Sequence, residues 1–229
     1  MSGWKRKVPH LLSLLIFPIL GLIYTYLNTQ PSKAIEIPLK VDSYIPFIPI
    51  FVIPYIIWYA FIFGYMIYFC FKDLKVYYHA LITIVIGEVI CFLFYIFFQT
   101  TVPRPVLAGN DWITSMVQFI YQNDEPYNCF PSIHVLTTYV IMLAFIQIKK
   151  KHLFNTLFVH MMGILIILST LFIKQHVVLD VIASIIIASV IHSFVVELAT
   201  RSQKNSIRKL ARSKRTSFSS KQIISQKND

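Results

Sequence analysis

Residues 153–198 read LFNTLFVHMMGILIILSTLFIKQHVVLDVIASIIIASVIHSFVVEL. These 46 residues are broken chiefly by the polar triplet Lys174-Gln175-His176. As one helix at ~1.5 Å per residue they would be roughly twice too long for a hydrocarbon core of ~30 Å. The stretch therefore reads as two crossings, 153–173 and 177–198, joined by a tight turn, although no Gly or Pro marks it. Four further apolar runs lie upstream, at 11–28, 45–71, 78–98 and 133–148. The second carries Pro46, Pro49 and Pro54, so its helix should begin inside the run. The expected fold class is all-α: a polytopic membrane protein with six transmembrane helices in one bundle.

Composition agrees. Of the 229 residues 56% are apolar and only 14% charged, with a mean hydropathy of +0.65. Soluble domains carry about 25% charged residues, so water-exposed globular and disordered classes are both excluded. The formal net charge is nonetheless +11. Six crossings place both termini on one side. That side collects Lys5, Arg6 and Lys7, then Lys72 and Lys75, then Lys149, Lys150 and Lys151, then every cation after Leu198. These are 17 of the 21 Lys and Arg residues, leaving Lys33, Lys40, Arg104 and Lys174 opposite. Basic segments are retained in the cytoplasm, which puts both termini there and makes the protein a multi-pass cell-membrane protein.

Lys5-Arg6-Lys7 before an apolar run also fits a signal peptide, with Ser32-Lys33-Ala34 as its cleavage site. The run contains Pro18 and ends well before that site, which favours a retained span. Residues 1–200 are expected to form the membrane catalytic domain, and 201–229 a basic, disordered cytoplasmic tail. Such a tail favours anionic lipid at ~1 kcal/mol per basic residue near the surface. Nothing aromatic or motif-like in it points to nucleic acid. Cys70 and Cys91 lie in spans and Cys129 outside them, so no disulfide framework is expected.

Three polar clusters fall on the outer face in this topology: Pro103-Arg104-Pro105, Phe130-Pro131-Ser132-Ile133-His134, and His176-Val177-Val178-Leu179-Asp180. His176 and Asp180, spaced i, i+4, share a helix face. There a carboxylate can accept the imidazole Nδ1–H and make Nε2 a better nucleophile. Ser132 suits an N-cap, whose free N–H groups favour a phosphate oxygen. His134 follows inside the first turn as a candidate acid/base, and Arg104 offers a planar donor set matched to phosphate. The inventory fits phosphoryl transfer. A metal site from His134, His176 and Asp180 is allowed by ligand type, but no supporting pattern accompanies it, and no metal or cofactor is expected. Glu88, mid-span, suits either a protonated carboxyl bonded to a neighbouring helix or the ion path of a transporter. His160 and His192 suit polar contacts between helices. The segment 109–128, with Asp111, Trp112, Asp124 and Glu125, is the longest external one near the clusters and would shape headgroup entry.

These residues resemble the type 2 phosphatidic acid phosphatase superfamily of six-helix membrane enzymes. Its pattern has three blocks: Lys-x6-Arg-Pro, Pro-Ser-Gly-His and Ser-Arg-x5-His-x3-Asp. Arg104-Pro105 represents the first, Pro131-Ser132-Ile133-His134 the second, and Ser169 with His176 and Asp180 the third. The lysine of the first block falls on Phe97, the arginine of the third on Thr170, and the glycine of the second on Ile133. Lys174 is a candidate to replace one of the missing cations, and Thr100 or Thr101 could donate hydrogen bonds. The Phe-Pro-Ser-x-His form is similar to the inositol phosphorylceramide synthase branch, and sphingomyelin synthase shares the triad.

The resemblance implies a lipid phosphatase acting on a lipid phosphate or pyrophosphate through a phosphohistidine on His176. Asp180 orients that histidine, His134 is the acid/base, and Arg104, Ser132 and Lys174 bind phosphate, without a metal. The alternatives are a phosphotransferase moving a phospho-headgroup to an alcohol, and a transporter or catalytically silent scaffold using Glu88.

Overall fold

The computed structural model describes residues 6–29, 33–109 and 111–225, with side chains described as far as residue 206. The protein is an all-α, polytopic membrane protein. A 3-10 segment, Val8–Leu15, runs into α1 (Ile16–Asn28). Two further 3-10 turns, Lys40–Tyr44 and Pro49–Phe51, precede α2 (Val52–Lys72), followed by α3 (Leu74–Phe97), α4 (Trp112–Asn123), α5 (Ile133–Ile146), α6 (Leu153–Phe172) and α7 (Val178–Ser225). Two-residue strands β1 (Ile35–Glu36) and β2 (Thr100–Thr101) pair in parallel.

Among the described residues, five helical segments are long and apolar enough to cross a membrane: Val8–Asn28, Pro49–Lys72, Leu74–Phe97, Leu153–Phe172 and Val178–Ser206. Helix α5 is apolar but has 14 residues, or about 21 Å at ~1.5 Å per residue, short of a full crossing. It packs against α2, α3 and α6, and it buries residues on every side, from Val135 and Leu136 to Ala144 and Phe145. The core follows α5: Phe69, Tyr77, Ile84, Leu136, Ile141 and Ile166 are all fully enclosed. Gly87 lets α3 approach it, since a Cβ there would lie 2.7 Å from Leu136 Cδ2.

The proline-bearing second run behaves as its chemistry requires. Residues 45–48 are not helical, Pro49 opens a 3-10 turn, and α2 starts at Val52 with Pro54 in its first turn, where a missing N–H costs nothing. The turn between α6 and α7 closes without Gly or Pro. Lys174 takes the left-handed conformation (φ +54°), and the N–H groups of Gln175 and His176 both donate to Thr170 O at 3.0 Å.

Two helical stretches lie outside the six apolar runs. Segment 109–128 holds α4, capped by Asp111, whose Oδ1 accepts from the N–H groups of Ile113 and Thr114 at 3.0 Å each. Beyond Leu198, where disorder was expected, α7 continues to Ser225, supported by an exposed i, i+4 pair between Arg201 and Glu197 at 2.5 Å. Residues 226–229 lie outside the described residues. Contacts divide the chain into two compact units, residues 1–192 and 193–229.

Candidate active site

The turn after α6 delivers His176 to the start of α7. Its Nδ1 lies 2.9 Å from Cys129 O and 3.2 Å from Asp180 Oδ2. Both partners are acceptors, so Nδ1 carries the proton and Nε2 keeps its lone pair. Asp180 Oδ2 also accepts Val177 N–H at 3.0 Å, which fixes the carboxylate as the cap of its own helix. His176 is 9% exposed and Asp180 fully buried, with Asp180 Oδ1 unpartnered among the described residues.

Ser132 is the N-cap of α5: its Oγ accepts Val135 N–H at 3.3 Å. Its carbonyl accepts Ser184 Oγ–H at 2.9 Å, tying the start of α5 to α7. His134, in the first turn, stacks on Tyr55 (centroids 4.6 Å apart, 27°) and touches Trp58 (4.2 Å). Its ring centre is 6.1 Å from that of His176. Trp58 is held in turn by its indole N–H, which donates to Thr137 Oγ1 at 3.0 Å. The two histidines thus stand side by side, one oriented by hydrogen bonds and the other by aromatic faces.

Arg104 reaches the same region from the segment after α3. Nη1 donates to Tyr121 O at 3.1 Å, and Nη2 to Asp124 O at 2.7 Å and Gln175 Oε1 at 2.6 Å. The guanidinium also lies over the Tyr121 ring, 4.4 Å from its centre. Its Nε is buried without an acceptor among the described residues, as is Gln175 Nε2. Lys174 points elsewhere: Nζ donates to Ile45 O at 2.5 Å and Asp42 O at 3.4 Å. Thr100 and Thr101 are engaged in the loops, Thr100 Oγ1 accepting from Phe130 N–H and Thr101 Oγ1 donating to Pro126 O. Phe97 is 82% exposed, and the Thr170 hydroxyl donates to Ile167 O.

The structure adds four residues that sequence reasoning did not assign to the site. Gln175 was seen only as part of a polar turn. Tyr55 and Trp58 were two aromatics among many. Asp124 had been placed in an external loop, yet it is half-buried and its carboxylate is enclosed by hydrogen bonds. Its Oδ1 accepts Tyr24 Oη–H at 2.7 Å and Asn28 Nδ2–H at 3.0 Å, its Oδ2 accepts Tyr55 Oη–H at 3.5 Å, and its carbonyl holds Arg104. Burial pushes the Asp124 carboxyl above its ordinary range, against the opposing pull of the Tyr24 hydrogen bond, Arg104 and His176. An available signal was an acidic residue in a chain with only 10 Asp and Glu. Glu88 is buried within α3, 7% exposed. His192 bridges Gln147 (2.6 Å) and Thr83 (3.2 Å), joining α7 to α5 and α3, whereas His160 bonds Thr156 O of its own helix. Among the described residues no three of His, Cys, Asp and Glu are grouped as a metal would require.

The order and spacing of these groups can be set beside known proteins. Residues 96–204 match the model of the PAP2 superfamily, a stretch that contains Arg104, Ser132, His134, His176 and Asp180. Over this stretch the chain is similar to the PAP2 superfamily. No curated protein and no solved structure matches it. The family match and the apolar helices fit a membrane phosphatase or phosphotransferase with lipid-related chemistry.

Proposed function

We propose that this protein is an integral membrane lipid phosphatase that works through a phosphohistidine on His176. The observation that carries the reading is the locked tautomer: Cys129 O and Asp180 Oδ2 both hold Nδ1–H, so Nε2 is the nucleophile. Nε2 attacks the phosphorus of a lipid phosphate ester, a P–N bond forms and the bond to the lipid oxygen breaks. Protonated His134 gives its proton to that departing oxygen, a role worth ~10²–10⁴-fold. Water then attacks, His134 takes its proton, the P–N bond breaks and phosphate leaves. Arg104 and the N–H groups of the α5 start after Ser132 stabilise the equatorial oxygens. Lys174 acts indirectly, holding the α6–α7 turn through the carbonyls of Asp42 and Ile45.

A second reading is transfer of a phospho-headgroup to an alcohol, favoured by the absence of cations at Phe97 and Thr170. Both readings take α5 together with its flanking segments as a sixth crossing, with the basic ends in the cytoplasm and the site at the outer face of the cell membrane. The basic stretch after residue 200 then meets anionic lipid. Purified protein is incubated with a labelled lipid phosphate, with and without an alcohol acceptor. Free phosphate supports hydrolysis and a new phosphodiester lipid supports transfer. His176→Ala should abolish both products and the acid-labile phosphohistidine while the protein remains folded in detergent; retained turnover removes the mechanism.

A further inference from the structure

A crevice of about 320 Å³ lies between α2 and α6, the size of a small ligand site. Its walls include Ile57, Gly64 and Tyr68 of α2 and Asn155, Phe158 and Met162 of α6. Gly64 and Phe158 are exposed, so the crevice opens sideways, toward lipid. Its polar side chains, Tyr65, Tyr68 and Asn155, stand together at one end, within two turns of Lys72 where α2 stops and in the first turn of α6. From Tyr68 to Ile57 it runs roughly 16 Å at ~1.5 Å per residue, the depth of one leaflet of a ~30 Å hydrocarbon core. The polar end carries a donor without an acceptor. Tyr65 Oη–H donates to Asn155 Oδ1 at 2.7 Å, which leaves the Asn155 Nδ2–H groups unpaired among the described residues. An unpaired amide at the edge of a bilayer calls for an acceptor.

The same end is strongly basic. Lys151 Nζ lies 5.5 Å from the centre of the Phe145 ring, which in turn meets the rings of Tyr65 at 5.8 Å and Tyr68 at 6.1 Å. Lys151 donates to Ile146 O at 2.9 Å and Phe145 O at 3.4 Å, closing the end of α5. Lys149 and Lys150 beside it are exposed, and residues 146–160 contain no Asp or Glu to neutralise them. The nucleophile is elsewhere: His176 follows the far end of α6, roughly 25 Å along that helix from Asn155. A phosphate beside these lysines is therefore not the one attacked. We propose that the crevice is a second, non-catalytic lipid site for one anionic glycerophospholipid of the adjacent leaflet. One acyl chain fills the slot, an ester carbonyl accepts from Asn155 Nδ2–H, and the phosphate lies beside Lys149 and Lys150. A neutral lipid could supply the chain and the carbonyl, but not the negative charge that these cations lack. The inference depends neither on the phosphohistidine reading nor on which face is cytoplasmic.

The test uses the full chain in maltoside micelles, titrated with dioleoyl phosphatidylglycerol or dioleoyl phosphatidylcholine while native mass spectrometry counts the bound lipids. The two probes share their chains and differ in net charge. One phosphatidylglycerol should bind per protein chain, about tenfold more tightly than phosphatidylcholine. Gly64→Leu fills the slot and should remove this tight site. A Cβ at Gly64 meets nothing within 4 Å, so the melting temperature should not fall. Replacing Lys149→Gln and Lys150→Gln together leaves the slot open and removes the charge. At about fivefold per basic residue, this pair should weaken phosphatidylglycerol by about tenfold or more and leave phosphatidylcholine unchanged. Turnover of labelled lipid phosphate should stay close to the wild-type rate in both variants. Equal binding of the two lipids, or a tight phosphatidylglycerol that survives either variant, overturns the inference. So does turnover that falls in step with the lost lipid, which would make the crevice part of the substrate's own site. A wild type without turnover sinks the phosphatase reading instead, and the lipid counts still decide this inference.

Discussion

Asp42 Oδ1 accepts the N–H of Val178 at 2.8 Å, across 136 residues of chain. The short 3-10 turn after β1 thereby caps α7 two residues beyond His176, and the Asp42 carbonyl receives Lys174 Nζ from the same turn. Asp42→Ala removes the cap and should lower kcat by up to about 10²-fold, the scale of a 1 Å displacement of a reacting group, with KM nearly constant. Asp42→Asn retains an acceptor and should recover most of the loss. Steady-state kinetics on the two variants decide it; equal damage from Ala and Asn would mean that the charge, not the cap, matters.

Asp124 gives a pH dependence of stability. Burial raises its carboxyl in the folded protein, so folding favours the protonated form. The resulting stability is complete below the unfolded value of about 4 and is lost as pH rises through the higher folded value. Wild-type melting temperature should therefore fall above pH 4 more steeply than that of Asp124→Asn. Thermal melts in detergent from pH 4 to 8 compare them, and parallel curves would exclude Asp124 as the source.

Two glycines make opposite predictions. A Cβ at Gly87 would meet Leu136 Cδ2 at 2.7 Å and Cδ1 at 2.9 Å, whereas one at Gly64 would meet nothing within 4 Å. Gly87→Ala should cost about 1–3 kcal/mol by overpacking, and Gly64→Ala should gain about 0.5–1 kcal/mol of helix preference. The same melting assay reads both, and a neutral Gly87→Ala would mean that Leu136 moves aside freely.

Ser132→Ala removes the α5 cap and should cost about 1 kcal/mol, with Ser132→Gly costing only a few tenths. Chemical denaturation in mixed micelles measures the difference. If Gly is as harmful as Ala, the Oγ bond to Val135 is not what starts the helix.

The long apolar runs and the i, i+4 pair of His176 and Asp180 were legible because span length and helical period are local properties. The start of α2 was legible for the same reason, since proline chemistry is written in the residues themselves. Helix α4 was hidden by its mixed polarity, although Asp111 with Thr114 three residues on is a recognisable cap. The positions of Lys174 and Gln175 were not legible. Both are polar residues in one turn, and their partners lie 129 and 71 residues away. Sequence placed Lys174 beside the phosphate as a spare cation; folding gave its ammonium to backbone carbonyls and left the neutral amide next to Arg104.

The contact between Trp58 and His134 gives the protein an internal light source at its candidate active site. The other tryptophans are Trp4, outside the described residues, and Trp112, 62% exposed at the start of α4. Trp58 is fixed by Thr137 and lies 4.2 Å from the His134 ring. An imidazolium at that distance quenches indole emission more strongly than a neutral ring. A proton gained or lost by the His134 ring, as the proposed mechanism requires, is thus coupled to a fluorescence signal, readable in the unlabelled protein and erased by Trp58→Phe.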